Sequence, residues 1–157
     1  IAGVSSLEVL AANGRYFPGV IVPLFDARRG QIYTGLYRYE GGVLRCLEED
    51  RIVAADEWAH QLSQQGEDVL LVGVDAPLYS ELFRNHLGER VHVAPPSLAL
   101  PRPSELVMLG KEKERENAHA FVPNYIRLAE AEAKWLAKQK GEGTDGDRCT
   151  ISSNDHP

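Results

Sequence analysis

The sequence predicts an α/β fold built on one mixed sheet, and three observations lead there. Residues 19–49 hold three strand-like stretches joined by two tight turns. From about residue 54 onward the apolar pattern alternates between helical and strand periods. The chain has 157 residues, 43% of them hydrophobic, enough for one domain with a real core.

The opening stretch "IAGVSSLEVLAANG" reads as the end of a strand followed by a helix. Ser5 and Glu8 stand at capping-box spacing, and Leu7, Val9 and Leu10 supply the apolar helix residues. A chain that opens at the end of a strand is expected to be a piece of a larger fold. "GVIVPLFDA" is an apolar run that predicts a buried strand over about 19–26. Pro23 lies inside it and has no N–H for a ladder, so a bulge or irregular pairing is expected at that residue. "ARRG" turns the chain, with Gly30 free to take positive φ.

"QIYTGLYRY" is rich in β-branched and aromatic residues and reads as the second strand. Its Tyr33, Tyr37 and Tyr39 share one face by the period of two, which points to cross-strand packing rather than a base-stacking platform. "EGG" turns again, and "VLRCLEE" alternates as a third strand. In "AADEWAHQLSQQG", Trp58 and Leu62 are four apart and Gly66 is a helix stop. "DVLLVGVDAP" is apolar enough for a strand covered on both faces. "PLYSELFRNHLG" predicts a helix with Leu78, Leu82 and Phe83 on one stripe, closed by Gly88. "RVHVA" is a short strand, "PPSLALPRP" a rigid loop, and "SELVMLGKEKERENA" a helix whose second half is a solvated face with i, i+4 charge pairs.

The order βββαβαβα, with a three-strand antiparallel meander first, is the ribonuclease-H-like topology, which also forms the repeating unit of the actin, Hsp70 and sugar-kinase superfamily. Fold alone does not assign an activity. Residues 128–140 are helical by propensity, and 141–157 are almost without apolar residues, as in a disordered tail. No internal repeat is present.

Charge narrows the function classes. The net charge of −6 disfavours a nonspecific nucleic-acid binder, though not a local basic patch. Cys46 and Cys149 are far apart and form no C-x-x-C, as expected of free thiols in a reducing cytosol. No apolar run reaches the roughly 18 residues that a membrane helix needs. The five histidines include no i, i+4 pair, and neither a G-x-S-x-G nor a P-loop is present.

Three carboxylates could carry chemistry. Asp26 ends the first strand, Glu57 lies early in the following helix, and Asp75 ends the fourth strand. Converging in this topology they would hold Mg²⁺ for phosphodiester cleavage. Against that, Arg28 and Arg29 can neutralise Asp26, and Asp75 can cap the next helix. A phosphate-binding hairpin of the sugar-kinase type is a further reading of "DARRGQ", although bulky arginines replace the small residues such a turn favours. One arginine could still contact a phosphate.

Three stretches, "GVSSLEVLA", "LFDARRGQIYTGLY" and "PNYIRLAEAEAKW", resemble the TsaB (YeaZ) family of bacterial tRNA threonylcarbamoyladenosine biosynthesis proteins. The resemblance covers about residues 1–136. It implies two ribonuclease-H-like lobes, of which this chain resembles the second. Residues 1–14 would then link from a first lobe, 15–140 would form the second lobe, and 141–157 the tail. The family's role is noncatalytic: a scaffold that pairs with its paralogue TsaD, with the ATPase TsaE joining. TsaD transfers a threonylcarbamoyl group, from an adenylate made by TsaC, onto an adenosine of tRNA. The resemblance implies no cofactor and no metal, a cytoplasmic setting, tRNA contact through the complex, and a homodimer when isolated. Arg28 and Arg29, with Tyr125 and Arg127 of "PNYIR", would meet a partner or RNA. The alternative is an enzyme on the same fold, a Mg²⁺ nuclease or a kinase-like ATP binder using Asp26, Glu57 and Asp75. Pro23, and a longer and more polar tail, depart from the family pattern.

Overall fold

The structure is a computed structural model, and it describes residues 1–124 and 126. The helix over 128–140, the tail over 141–157, Cys149, Tyr125 and Arg127 lie outside the described residues.

Helix α1 (Ser6–Ala11) begins where the sequence places it, because the Ser5 hydroxyl accepts from the backbone N–H of Leu7 at 3.1 Å and of Glu8 at 3.4 Å. The second half of the expected capping box is absent: the Glu8 carboxylate accepts from Lys113 Nζ at 2.8 Å instead. Strands β1 (Val20–Arg28), β2 (Gln31–Glu40) and β3 (Val43–Ala54) form the antiparallel meander. Helix α2 (Ala55–Ser63), strand β4 (Val69–Val72), helix α3 (Ala76–Leu87), strand β5 (Val91–Val93) and helix α4 (Pro103–Glu112) follow. The sheet order is β3-β2-β1-β4-β5, with β1–β4 and β4–β5 parallel. This is the mixed, ribonuclease-H-like sheet that the element order implies.

Alternation along β1 divides the core between two faces. Val20, Val22 and Leu24 point to one side, where Ile32, Leu36, Val69 and Leu71 join them beneath Trp58 and Leu62 of α2 and Phe83 and Leu87 of α3. Ile21 points to the other side with Tyr37, Leu70 and Val72, beneath Leu10 and Ala11 of α1. Two of the three tyrosines of β2, Tyr37 and Tyr39, pack in the core as their shared face implies, whereas Tyr33 is half-buried and lines a cleft with Phe25 and Asp50. Tyr37 is buried, its hydroxyl donating to Asp50 Oδ1 at 2.5 Å, and Tyr39 donates to the Ala12 carbonyl at 3.2 Å. Burial, reinforced by Asp50, pushes the Tyr37 phenol well above its ordinary pKa.

Four sequence expectations change in the structure. β1 is regular at Pro23: Ile21 faces Tyr37 and Leu24 faces Thr34 in one unbroken register. The Pro23–Val72 pair is the last of the parallel ladder, and the buried Thr34 hydroxyl donates to the Pro23 carbonyl at 2.8 Å. The irregularity falls instead between Asp26 and Arg28, at the hairpin tip. β3 runs on to Ala54, beyond the expected end at residue 49, with register shifts against β2 around Thr34–Tyr37. Leu78 is not on the buried stripe of α3: it is 73% exposed, because α3 turns Phe83, Leu87 and the half-buried Leu82 to the sheet. α4 stops at Glu112 rather than running through "KEKERE". Lys113 leaves the helical region to reach Glu8, and the Glu116 N–H donates to the Ile1 carbonyl at 2.8 Å, so tertiary partners replace the expected i, i+4 pairs.

Among the described residues no helix is long and apolar enough to cross a membrane. The contrast between the two α3 side chains is testable by urea unfolding. Phe83→Ala, at a fully buried position, is expected to cost about 3–5 kcal/mol. Leu78→Ala is expected to stay within about 0.5 kcal/mol.

Candidate functional site

The site candidate is the end of the sheet where β1 turns into β2 and β4 passes into α3. Gly73 brings these segments together. It has φ +151°, and a Cβ there would lie 2.2 Å from the Leu24 carbonyl oxygen, so only glycine lets the chain after β4 approach β1 this closely. Just beyond it, Asp75 lies against Asp26. Asp75 occupies the N-cap position of α3, but its side chain makes no cap hydrogen bond. Its Oδ2 accepts from the Asp26 backbone N–H at 2.9 Å instead. The expectation that Asp75 ends the fourth strand or caps the helix therefore changes: the strand ends at Val72, and the carboxylate satisfies a donor at the end of β1.

Asp26 is equally occupied. Its Oδ1 accepts from the Arg28 N–H at 2.9 Å, an Asx-type turn, and from the Tyr79 hydroxyl at 2.7 Å. The Tyr79 oxygen also lies 3.3 Å from the Gln31 carbonyl, so the first turn of α3 is fastened to both strands of the hairpin. The Tyr79 phenol, followed by the Arg28 amide and the Arg28 charge, holds the Asp26 carboxyl below its ordinary pKa. Burial and the hydrogen bond to Asp26 push the Tyr79 phenol up to about 12.

This latch fixes an unusual turn. Arg28 and Arg29 both adopt left-handed backbone, φ +67° and +54°, ahead of Gly30 at +72°. Two consecutive non-glycine residues in that region cost of order 1 kcal/mol each and persist only when their surroundings hold them. Both arginines are exposed, and among the described residues neither is salt-bridged to a carboxylate.

The three carboxylates singled out in the sequence do not form one cluster. Asp26 and Asp75 meet through the backbone contact above. Glu57 is an exposed residue of α2, and among the described residues no three His, Cys, Asp or Glu side chains are placed to hold a metal ion. The Mg²⁺ arrangement thus lacks its third member, for a topological reason: α2 follows the outer strand β3 rather than β1 or β4.

Two groupings escape sequence reasoning. Tyr79 stands four residues after Asp75, a helical spacing that puts both on one side of the α3 start, and that spacing was the only available signal. His86 pairs with Asp56 at 2.8 Å and lies edge-on to His60 with ring centroids 6.0 Å apart, a pairing across two helices that no short spacing reveals. The Cys46 thiol, though exposed, is pushed above its ordinary pKa by partial desolvation and the nearby Asp50, Glu49 and Glu8 charges.

Comparison with known proteins adds to this geometry. Residues 1–135 match the family model described as TsaD: tRNA N6-adenosine threonylcarbamoyltransferase. The chain belongs to this family. It is 49% identical over 140 residues to the tRNA threonylcarbamoyladenosine biosynthesis protein TsaB of Bacillus subtilis (strain 168), a match covering 89% of this chain and 61% of that protein. The chain therefore spans less than two thirds of its relative's length. A crystal structure of an uncharacterized protein with similarity to peptidase YeaZ from Pseudomonas aeruginosa shares the fold, with a TM-score of 0.58 and 21% identity. That match covers 79% of this chain and 57% of the other. The resemblance of residues 1–136 to the TsaB (YeaZ) family accordingly holds, and "DARRG" falls inside the matched region.

The role of Asp26 has a measurable sign. Its folded-state pKa is depressed, so the stability it contributes is present above the unfolded carboxylate pKa of about 3.9 and is lost as pH falls through the lower folded value. Asp26→Asn keeps an acceptor oxygen for Arg28 and Tyr79 but no longer titrates. Compared by thermal melts, it is expected to lose less stability than the wild type between neutral pH and pH 3, whereas Asp26→Ala is expected to be destabilised already at neutral pH.

Proposed function

We propose that this chain is a noncatalytic scaffold subunit of the bacterial tRNA threonylcarbamoyladenosine-modifying complex, acting in the cytoplasm beside the transferase TsaD and the ATPase TsaE. The observation that carries the reading is the 49% identity to TsaB along 89% of the chain. The site geometry supports it. A Mg²⁺ site needs several converging oxygen ligands, whereas Asp26 and Asp75 each give one oxygen to the hairpin, its backbone or Tyr79, and among the described residues no third carboxylate joins them. Membership in a family described by the transferase reaction records shared ancestry of fold, and activity is decided at the site.

On this reading the chain contributes surface and shape, and tRNA meets the complex rather than this subunit alone. The test is tRNA threonylcarbamoylation in a reconstituted mixture with TsaC, TsaD and TsaE. Product is expected to depend on this protein, and the Asp26→Asn, Asp75→Asn double variant is expected to support the wild-type rate. If these carboxylates performed acid–base work, the same variant would fold yet lose about 10²–10⁴-fold in rate, and the scaffold reading would be wrong.

A further inference from the structure

We infer that the hairpin tip and the start of α3 form a docking surface for a protein subunit that presents carboxylates beside an apolar recess. The inference rests on the scaffold reading and specifies which face of this chain does the work. It begins with Arg28 and Arg29, two exposed guanidiniums without a salt bridge among the described residues. They sit on a turn whose left-handed backbone is held by Asp26, and Asp26 is in turn held by Tyr79. A latch that fixes the backbone beneath two charged side chains reduces the ordering that a partner must impose, which favours binding through preorganisation.

At the start of α3, which is fastened to this hairpin, lies apolar surface that the core does not use. Val74 is 51% exposed and Leu78 is 73% exposed, and they flank Asp75 and Tyr79, the residues that contact the hairpin. Arginines next to large apolar side chains resemble the centre of a protein interface in composition. Charge complementarity then specifies the partner: its carboxylates would meet the two arginines, and an apolar recess would take Leu78.

An RNA strand fits this surface less well. Two guanidiniums neutralise only about two phosphates, a weak electrostatic contribution, and the Asp26 carboxylate, bound to the Arg28 N–H, offsets part of their charge. The chain as a whole carries −6, which repels a polyanion further. Val74 and Leu78 offer a phosphate backbone nothing.

The experiment is calorimetric titration of purified TsaD, and separately TsaE, into the full chain and two variants. One variant is Arg28→Gln with Arg29→Gln, which removes charge without adding bulk at the left-handed positions. The other is Leu78→Asp, which alters a solvent-facing helical residue. Circular dichroism melts check that both variants fold. At least one of the two subunits is expected to bind the wild-type chain, and both variants are expected to weaken that complex about tenfold or more, with a shallower salt dependence for the arginine variant.

Failure of both subunits to bind, or wild-type affinity in either variant, overturns the inference. A single-stranded RNA 12-mer, about the length of a short binding site, is titrated in parallel. If the arginine variant loses RNA binding while Leu78→Asp retains it, the surface belongs to RNA and the inference is likewise overturned. The modification assay on the same variants separates the two levels of the argument. Product that needs this chain but is indifferent to both variants leaves the scaffold role standing and removes this surface from it. Product that forms without the chain removes the scaffold role itself.

Discussion

The position of β1 is the constraint on which the rest of the structure depends. It pairs antiparallel with β2 on one edge and parallel with β4 on the other, and both of its faces are covered. A strand placed this way has no solvent face to absorb error. A one-residue slip against either neighbour would exchange Val20, Val22 and Leu24 with Ile21, moving each set into the core built for the other. The regular register through Pro23 follows from the same constraint: irregularity is pushed to the exposed end of the strand, where a bulge disturbs no core contact. Thr34, the one polar residue in the buried set among the described residues, is tolerated because its hydroxyl serves the Pro23 carbonyl.

The hairpin latch is the consequence of that arrangement at the strand's end. Because β1 and β4 are neighbours, the segment after β4 runs close against the end of β1, and Gly73 permits the approach. That closeness leaves the Asp75 carboxylate on the Asp26 N–H and the Tyr79 hydroxyl on the Asp26 carboxylate. In an enzyme of this topology the same end of the sheet would hold reacting groups. Here each of its two acidic residues gives one oxygen to the hairpin and its latch, while Arg28, Arg29, Val74 and Leu78 are exposed.

The opposite face shows the same economy of polar groups. Asp50 receives both the Ser5 hydroxyl, which caps α1, and the Tyr37 hydroxyl from the middle of β2. A single half-buried carboxylate on β3 thus links helix α1 to the central sheet. Arg51, next along β3, lies 4.5 Å over the buried Trp58 ring and ties the other face of the same strand to α2. β3 is the outermost strand of its side of the sheet, so these contacts to both helical layers compensate for the neighbour it lacks.

Much of the fold was determined by the sequence alone. Apolar period two in "GVIVPLF" and "QIYTGLY", the change to helical period at Trp58 and Leu62, and the glycine and proline punctuation are local properties, and local physics sets them. The Ser5 cap, the hairpin at Arg29–Gly30 and the both-sided burial of "VLLV" were legible for that reason. Resemblance over three stretches supplied the family, which periodicity could not. The tertiary structure decided what depends on partners distant in the chain: Glu8 with Lys113, Leu78 turned away from the core, α4 ending before its charges, and β3 lengthened to meet α2. It also decided the site. Asp26 and Asp75 are 49 residues apart, and what such a pair does is set by how closely two distant segments approach. No spacing rule encodes that approach; packing at Gly73 against β1 permits it.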